Sequence, residues 1–253
     1  MRGILVVVVA AALLSAAPGR AQPFDDDDTG CVPDSPEHRK CSEKLARAFA
    51  VLIAGVAACH DKQARAAFAG SSYDEEACED RARLRLEVKR IAVATLCSVT
   101  QLALATDEEN ALLDSSNPAS LDAQNADTFC DSTSATPIDP SGDDPGWVPA
   151  TPDALWCARG VGKNLAKLFG AVMRCHVMMA YSAYAGRAFD EEACEENNPL
   201  TGHGARDRFS AGAAKLLARG GCPPCLDSPH QEALALRAVN ELDADNGRLY
   251  PCP

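Results

Sequence analysis

Apolar residues recur at three- and four-residue steps from Cys41 through Leu45, Ala48, Leu52 and Val56 to Cys59, drawing one stripe along a single long helix. Ser35-Pro36-Glu37 supplies its start: a hydroxyl to cap the first free N–H groups, proline at the first helical position, and an acid facing the positive helix end. Gly70 suits the left-handed residue that stops a helix. Asp74 then caps a second helix, with two glutamates in its first turn. The pattern predicts a helix, a tight corner and a returning helix.

The same pattern is written again 116 residues later. Ser35-Pro36-Glu37 maps onto Thr151-Pro152-Asp153, Cys41 onto Cys157, Cys59-His60 onto Cys175-His176, Gly70 onto Gly186, and Asp74 to Cys78 onto Asp190 to Cys194. The register holds without a gap from residue 35 to 80. Beyond it the second copy inserts NNPLTGHGA, after which the stretch ending at Cys97 resembles the one ending at Cys222. LDAQNADTFC, ending at Cys130, and LDADNGRLYPC, ending at Cys252, close the two units as a weaker echo. The chain is an internal duplication.

The cysteines give the corner a second, independent location. In an antiparallel hairpin facing residues share a midpoint, and the pairs Cys59–Cys78 and Cys41–Cys97 both centre near residue 69, where the turn is expected. Their spacing along each helix corresponds to about 27–29 Å. Two disulfide rungs are therefore expected to staple the first hairpin, and Cys175–Cys194 with Cys157–Cys222 the second. The spacing of 19 residues between Cys78 and Cys97 rotates one relative to the other by about 100° in a straight helix. That is the weak point of the scheme. For the remaining four, the expectation is Cys31 with Cys130 and Cys225 with Cys252, each unit closed by its own tail.

Composition fixes the setting. Arg2, an apolar run from Ile4 to Leu14 and small residues ending at Ala21 read as a cleaved signal peptide, too short for a membrane span. All twelve cysteines follow it, as expected of a chain exported to the periplasm or beyond, with six disulfides. A net charge of −12 disfavours nucleic acid and anionic membranes as partners. The expected organisation is residues 1–21 signal peptide, 22–34 acidic tail, 35–106 first hairpin, 107–150 an extended Pro/Ser/Asp-rich linker, and 151–253 second hairpin with a closing segment. The fold class is all-α: two tandem stapled hairpins, packed as a four-helix arrangement or separate.

Through Cys41, Cys59-His60 and Glu76-Ala77-Cys78, and their second copies, residues 35–97 and 151–222 resemble secreted, cysteine-rich α-helical repeat proteins of bacteria. The resemblance implies a helical repeat fold and no known activity. The layout is also similar to the twin-cysteine hairpins of the mitochondrial intermembrane space, whose closer cysteine spacing makes it a likeness of geometry alone.

Few residues invite chemistry. Cys222-Pro-Pro-Cys225 is a CxxC pair, but it follows ARGG at a helix C-terminus and lacks a thioredoxin-like surround, so structure is favoured over thiol–disulfide exchange. Cys59-His60 and Cys175-His176 lack the haem-attachment spacing, and adjacent helical residues point about 100° apart. With free thiols they and Met173, Met178 and Met179 suit a soft ion such as copper or zinc. The bland reading, that each histidine follows a bridged cysteine and faces water or a partner helix, is preferred. Arg81, Arg85 and Lys89 share a face that suits an acidic partner or the protein's own tail, with Glu79 and Arg83 paired along the helix. Leu242 to Gly247 has the wrong register for a calcium loop. The sequence thus supports no cofactor, no metal and no catalytic residue. It points to a non-enzymatic binding or structural module with an unidentified protein or surface ligand. Soft-metal binding through free cysteines with His60 and His176, and thiol exchange at Cys222 and Cys225, are the alternatives.

Overall fold

The computed structural model describes residues 22–24, 28–140, 142–196, 198 and 200–252. The expected signal peptide lies outside the described residues. Eight α-helices run in the order α1 (Pro36–Phe68), α2 (Glu76–Val93), α3 (Val99–Leu113), α4 (Asn125–Thr128), α5 (Pro152–Tyr184), α6 (Glu191–Glu195), α7 (Ala205–Arg219) and α8 (Ser228–Leu249). Among the described residues the only β-type pairings are two isolated bridges, Pro23 with Cys31 and Pro137 with Trp147. The fold is all-α.

The duplicated start signals work as written. Ser35 Oγ accepts from the His38 N–H at 3.1 Å and Thr151 Oγ1 from the Ala154 N–H at 3.1 Å, opening two helices of 33 residues each. Gly70 and Gly186 take φ of +69° and +65°, the left-handed turn that stops both. Asp74 and Asp190 accept from the N–H groups of Ala77 and Ala193 at 3.0 and 2.9 Å. α1 and α5 pack on each other through Phe49, Leu52, Ile53 and Val56 against Leu168, Phe169, Val172 and Met173, all buried. Each fully buried large apolar side chain contributes about 1.5–3 kcal/mol.

All twelve cysteines are bridged. Cys59–Cys78, Cys41–Cys97, Cys175–Cys194 and Cys157–Cys222 form the rungs the hairpins call for. The phase mismatch before Cys97 is absorbed where α2 gives way to a tighter 3-10 turn, Ala94–Leu96. The last two bridges differ from expectation: Cys31 joins Cys252 and Cys130 joins Cys225, not Cys31 with Cys130 or Cys225 with Cys252. Each crosses between the two units, Cys31–Cys252 where the start of the described chain meets its last helix and Cys130–Cys225 from the segment after α4 to the turn before α8. The Cys31 N–H donates to the Tyr250 carbonyl at 2.8 Å, and Thr29 Oγ1 donates to the Asp243 and Ala244 carbonyls.

Two further expectations give way. The N-terminal tail is not all solvated, since Asp28 and Cys31 are buried against α8. The stretch 107–150 is not an extended linker: it carries the end of α3, then α4, and buries Leu121, Phe129, Ile138 and Asp144. α2 shows a third departure. Arg83 reaches across to Glu109 of α3 at 2.8 Å rather than back to Glu79.

Peptide mapping under non-reducing conditions should recover Cys31 linked to Cys252 and Cys130 linked to Cys225. Replacing Cys31 and Cys252 by serine should lower stability by about 2–4 kcal/mol in reversible denaturation. Recovery of a Cys31–Cys130 peptide would overturn this arrangement.

Candidate metal centres

His60 and His176 are the residues that find an unexpected place. Both are buried, at 6% and 2% exposure, and neither faces water. His60, near the end of α1, is carried beside the start of α2 by the neighbouring Cys59–Cys78 bridge. Glu75 and Glu79 stand one helical turn apart there, on the same face. Asp122, in the turn region after α3, and Asp144, in the approach to α5, close the set from the other side. The His60 Nε2 lies 3.1 Å from Asp144 Oδ1, 3.2 Å from Glu79 Oε1, 3.5 Å from Asp122 Oδ1 and 3.8 Å from Glu75 Oε1.

The second copy repeats this almost distance for distance. His176 Nε2 lies 3.0 Å from Glu195 Oε1, 3.1 Å from Asp28 Oδ1, 3.2 Å from Asp243 Oδ1 and 3.8 Å from Glu191 Oε1. Cys175–Cys194 stands where Cys59–Cys78 stands in the first. Adding 116 carries Glu75, Glu79, Asp28 and Gly30 onto Glu191, Glu195, Asp144 and Gly146, while Leu121-Asp122 answers to Leu242-Asp243. The two aspartates that share the register with offset 116 are exchanged: Asp28 precedes α1 but completes the His176 set, and Asp144 precedes α5 but completes the His60 set.

Both exchanged aspartates are delivered by the same backbone device. Asp28-Thr29-Gly30 and Asp144-Pro145-Gly146 end in glycines with φ of +106° and +140°. The next residues, Cys31 and Trp147, each donate a 2.8 Å N–H bond to Tyr250 and Phe129 in the closing segments. A side chain at Gly30 would come within 2.6 Å of the Tyr250 carbonyl oxygen. Buried amides then orient each carboxylate: Gln63 Nε2 donates to Asp144 at 2.9 Å and Asn246 Nδ2 donates to Asp28 at 3.2 Å.

The electrostatics are unlike those elsewhere in the fold. Other buried acids have an arginine: Glu109 is met by Arg83 and Arg90, and Glu108 by Arg248. Among the described residues no Lys or Arg forms an ion pair with any of the eight site carboxylates. Burial, then its carboxylate neighbours Glu79 and Asp144, pushes Glu75 up to about 10; burial and Glu195 push Glu191 up to about 11. Burial opposes the charged form of His60, but bonds to Asp122, Asp144 and Glu79 outweigh it and raise its pKa well above the usual histidine range. His176 is raised likewise, with Asp243, Asp28 and Glu195 outweighing burial.

Several atoms aimed into these clusters lack a properly directed hydrogen bond: His60 Nε2, and single oxygens of Glu75, Glu79, Asp122, Asp144, Glu191 and Glu195. Buried polar atoms left so are rare and call for a missing partner. Donors at right angles around an ion with bonds of about 2.1–2.5 Å sit about 3.0–3.5 Å apart, the range of most of the separations here. In each half, donor atoms of His60 with Glu79 and Asp122, His60 with Glu75 and Asp144, His176 with Glu191 and Glu195, and His176 with Asp28 and Asp243 fall within 4.8 Å of one another. In each half, one imidazole and the four carboxylates within 3.8 Å of its Nε2 are the groups that could hold a cation.

The other candidate residues lie apart. Cys222 and Cys225 are bridged to Cys157 and Cys130, not to each other, so the CxxC pair is no dithiol. No cysteine is free to act as a thiolate ligand, and Met173 and Met179 are buried while Met178 is exposed. Arg81, Arg85 and Lys89 are exposed on α2. Asp243 lies inside the LDADNG stretch that fails as a calcium loop; it meets His176 at 3.2 Å, as its counterpart Asp122 meets His60 at 3.5 Å. The readable signal was that Glu79, Asp28 and their copies are duplicated along with the histidines. The chain matches no protein-family model, no curated protein and no solved structure.

Without a bound cation, the raised carboxyls and the raised imidazoles act in one direction. Each group binds its proton more tightly folded than unfolded, so its stabilising effect is full below the unfolded pKa, near 4.5 for Glu and 6.5 for His. It is lost as pH climbs through the folded value. Chelator-treated protein should therefore show a melting temperature that falls steadily between pH 5 and pH 9. A Tm that rises over that range would contradict the proton-holding clusters.

Proposed function

We propose that this chain is an exported, disulfide-stapled cation-binding protein, secreted or periplasmic, that holds two cations, one at His60 and one at His176, and is not an enzyme. The observation that carries the reading is the repetition: one buried imidazole and four carboxylates converge twice, at matching distances, and among the described residues no Lys or Arg pairs with them, so the imidazole's single charge cannot balance four carboxylates. Structural pairing does not account for such a cluster, because like charges held together in a buried site repel and cost stability unless protons or a cation intervene. A cation supplies the missing positive charge and satisfies the unpartnered oxygens at once.

The reading keeps a binding role and changes its agent. Oxygen and imidazole, not thiolate, form the ligand sets, and the cysteines serve by holding those ligands in place. Six disulfides in a chain of this length suit an oxidising compartment. Among the described residues no helix is long and apolar enough to cross a membrane. The likeness to bacterial secreted cysteine-rich helical proteins is part of the same proposal.

The test is stoichiometry. Chelator-stripped protein with its disulfides intact, equilibrated with a mixture of di- and trivalent cations and desalted, should carry two ions per chain by elemental analysis. His60→Ala and His176→Ala should each retain one, and the double variant none. At a hundredfold excess over Kd each site should add about 2.7 kcal/mol of stability. Helical, fully bridged protein that takes up no ion from any of these cations would sink the proposal.

A further inference from the structure

Charge and donor chemistry narrow the cation, given the two-site reading above on which this step rests. We infer that each site selects a hard trivalent cation, ferric iron or a lanthanide, over the divalent ions.

Four carboxyls surround each imidazole; with all four ionised a divalent ion leaves two uncompensated negative charges in a buried site and a trivalent ion one, and where one carboxyl keeps its proton the trivalent ion balances the rest. The protein shows how it handles ordinary buried acids: Glu108 and Glu109 are matched by arginines. It does nothing of the kind at the eight site carboxylates. The groups that orient Asp144 and Asp28 are the neutral amides of Gln63 and Asn246, which fix direction without supplying charge. The positive charge is left to the ion.

The donors point the same way. Every cysteine is oxidised, which removes the soft ligands that favour copper(I) or thiolate zinc. Four carboxylates offer up to eight oxygens beside one nitrogen, more than tetrahedral zinc uses. Magnesium retains several waters, which a site lined by histidines of 6% and 2% exposure accommodates poorly. Calcium prefers oxygen alone, and an imidazole in each set is a departure from that preference. A small, highly charged, oxygen-seeking ion that also accepts one imidazole meets all these constraints. The oxidising conditions that maintain six disulfides also keep iron ferric.

The experiment is a competition on the intact, disulfide-bonded protein. Terbium(III) and ferric iron supplied as its citrate complex are titrated separately against chelator-stripped protein. Each is then challenged with calcium, manganese(II) and zinc. Terbium bound in the sites is read by its luminescence lifetime in H2O against D2O, which counts remaining waters. The proposal expects two trivalent ions per chain, most of their waters replaced, and retention against an excess of on the order of a hundredfold of each divalent ion. Ferric iron retained where terbium is displaced, or the reverse, names which trivalent ion the sites prefer and supports the class. Glu79→Gln and Glu195→Gln, each removing one negative charge from its site, should weaken trivalent binding more than divalent binding and so narrow the trivalent advantage. If zinc, manganese or calcium displaces both trivalent ions at equal concentration, the trivalent assignment is overturned while the two-site reading stands. If helical protein binds none of the five, both fall.

Discussion

The structure is organised around an electrostatic conflict: two groups of four carboxylates are gathered, each around one buried imidazole, and among the described residues no Lys or Arg pairs with them. Hydrophobic burial alone does not assemble such groups, since an unpaired buried charge costs far more than one apolar side chain returns. Covalent bonds hold them in place. Cys59–Cys78 fixes the residues immediately before His60 and Glu79, and Cys175–Cys194 does the same for His176 and Glu195. The bridges therefore do more than limit the unfolded chain. They keep apart the choice of helix packing and the repulsion among the ligands, so the helices cannot splay to relieve it.

The same requirement explains the two bridges that the tandem-hairpin picture mispairs. Asp28 lies ahead of α1, yet it belongs to the set around His176, whose other aspartate, Asp243, is on α8. The chain start must therefore lie on the last helix. Cys31–Cys252 locks that meeting three residues past Asp28, and the Thr29 bonds to the Asp243 and Ala244 carbonyls secure it. Cys130–Cys225 likewise ties the segment between Asp122 and Asp144 to the second unit. Closing each unit by its own tail would have pulled Asp28 toward the wrong histidine.

Much of the scaffold was legible because its determinants are local or periodic. Ser35-Pro36, Gly70 and Asp74 act within one turn of their positions, and the four hairpin bridges follow from antiparallel geometry. The sites were not legible for a different reason. Glu75 and Glu191 sit at helix starts, where an acid already has a sufficient electrostatic explanation. Glu79 had an adjacent Arg83 to pair with, until α3 offered Glu109 instead. Asp28 and Asp144 lie in acidic, proline-rich stretches that read as solvent-exposed. Recurrence does not single these acids out, since Asp74 and Glu76 recur as Asp190 and Glu192 as well; what does is their meeting around a buried histidine, which follows only when distant chain segments are brought together.

The exchange of aspartates gives the duplication a consequence beyond repetition. A repeat unit beginning at Asp28 and ending near Cys130 contributes one histidine, two glutamates and two aspartates to the two clusters (His60, Glu75, Glu79, Asp28 and Asp122), as does the unit from Asp144 to Cys252. Folded alone, neither presents the five groups to one point, because its leading aspartate reaches the other unit's closing segment, through the matched 2.8 Å bonds from Cys31 to Tyr250 and from Trp147 to Phe129. The two halves are therefore reciprocal parts. The His176 cluster brings the chain start onto α8 and the His60 cluster brings the connecting segment onto α1 and α2, so each cluster joins elements of both units. The exchange joins two local helix corners into one interlocked body, in which the packing of α1 on α5 and the completion of both carboxylate–imidazole clusters go together.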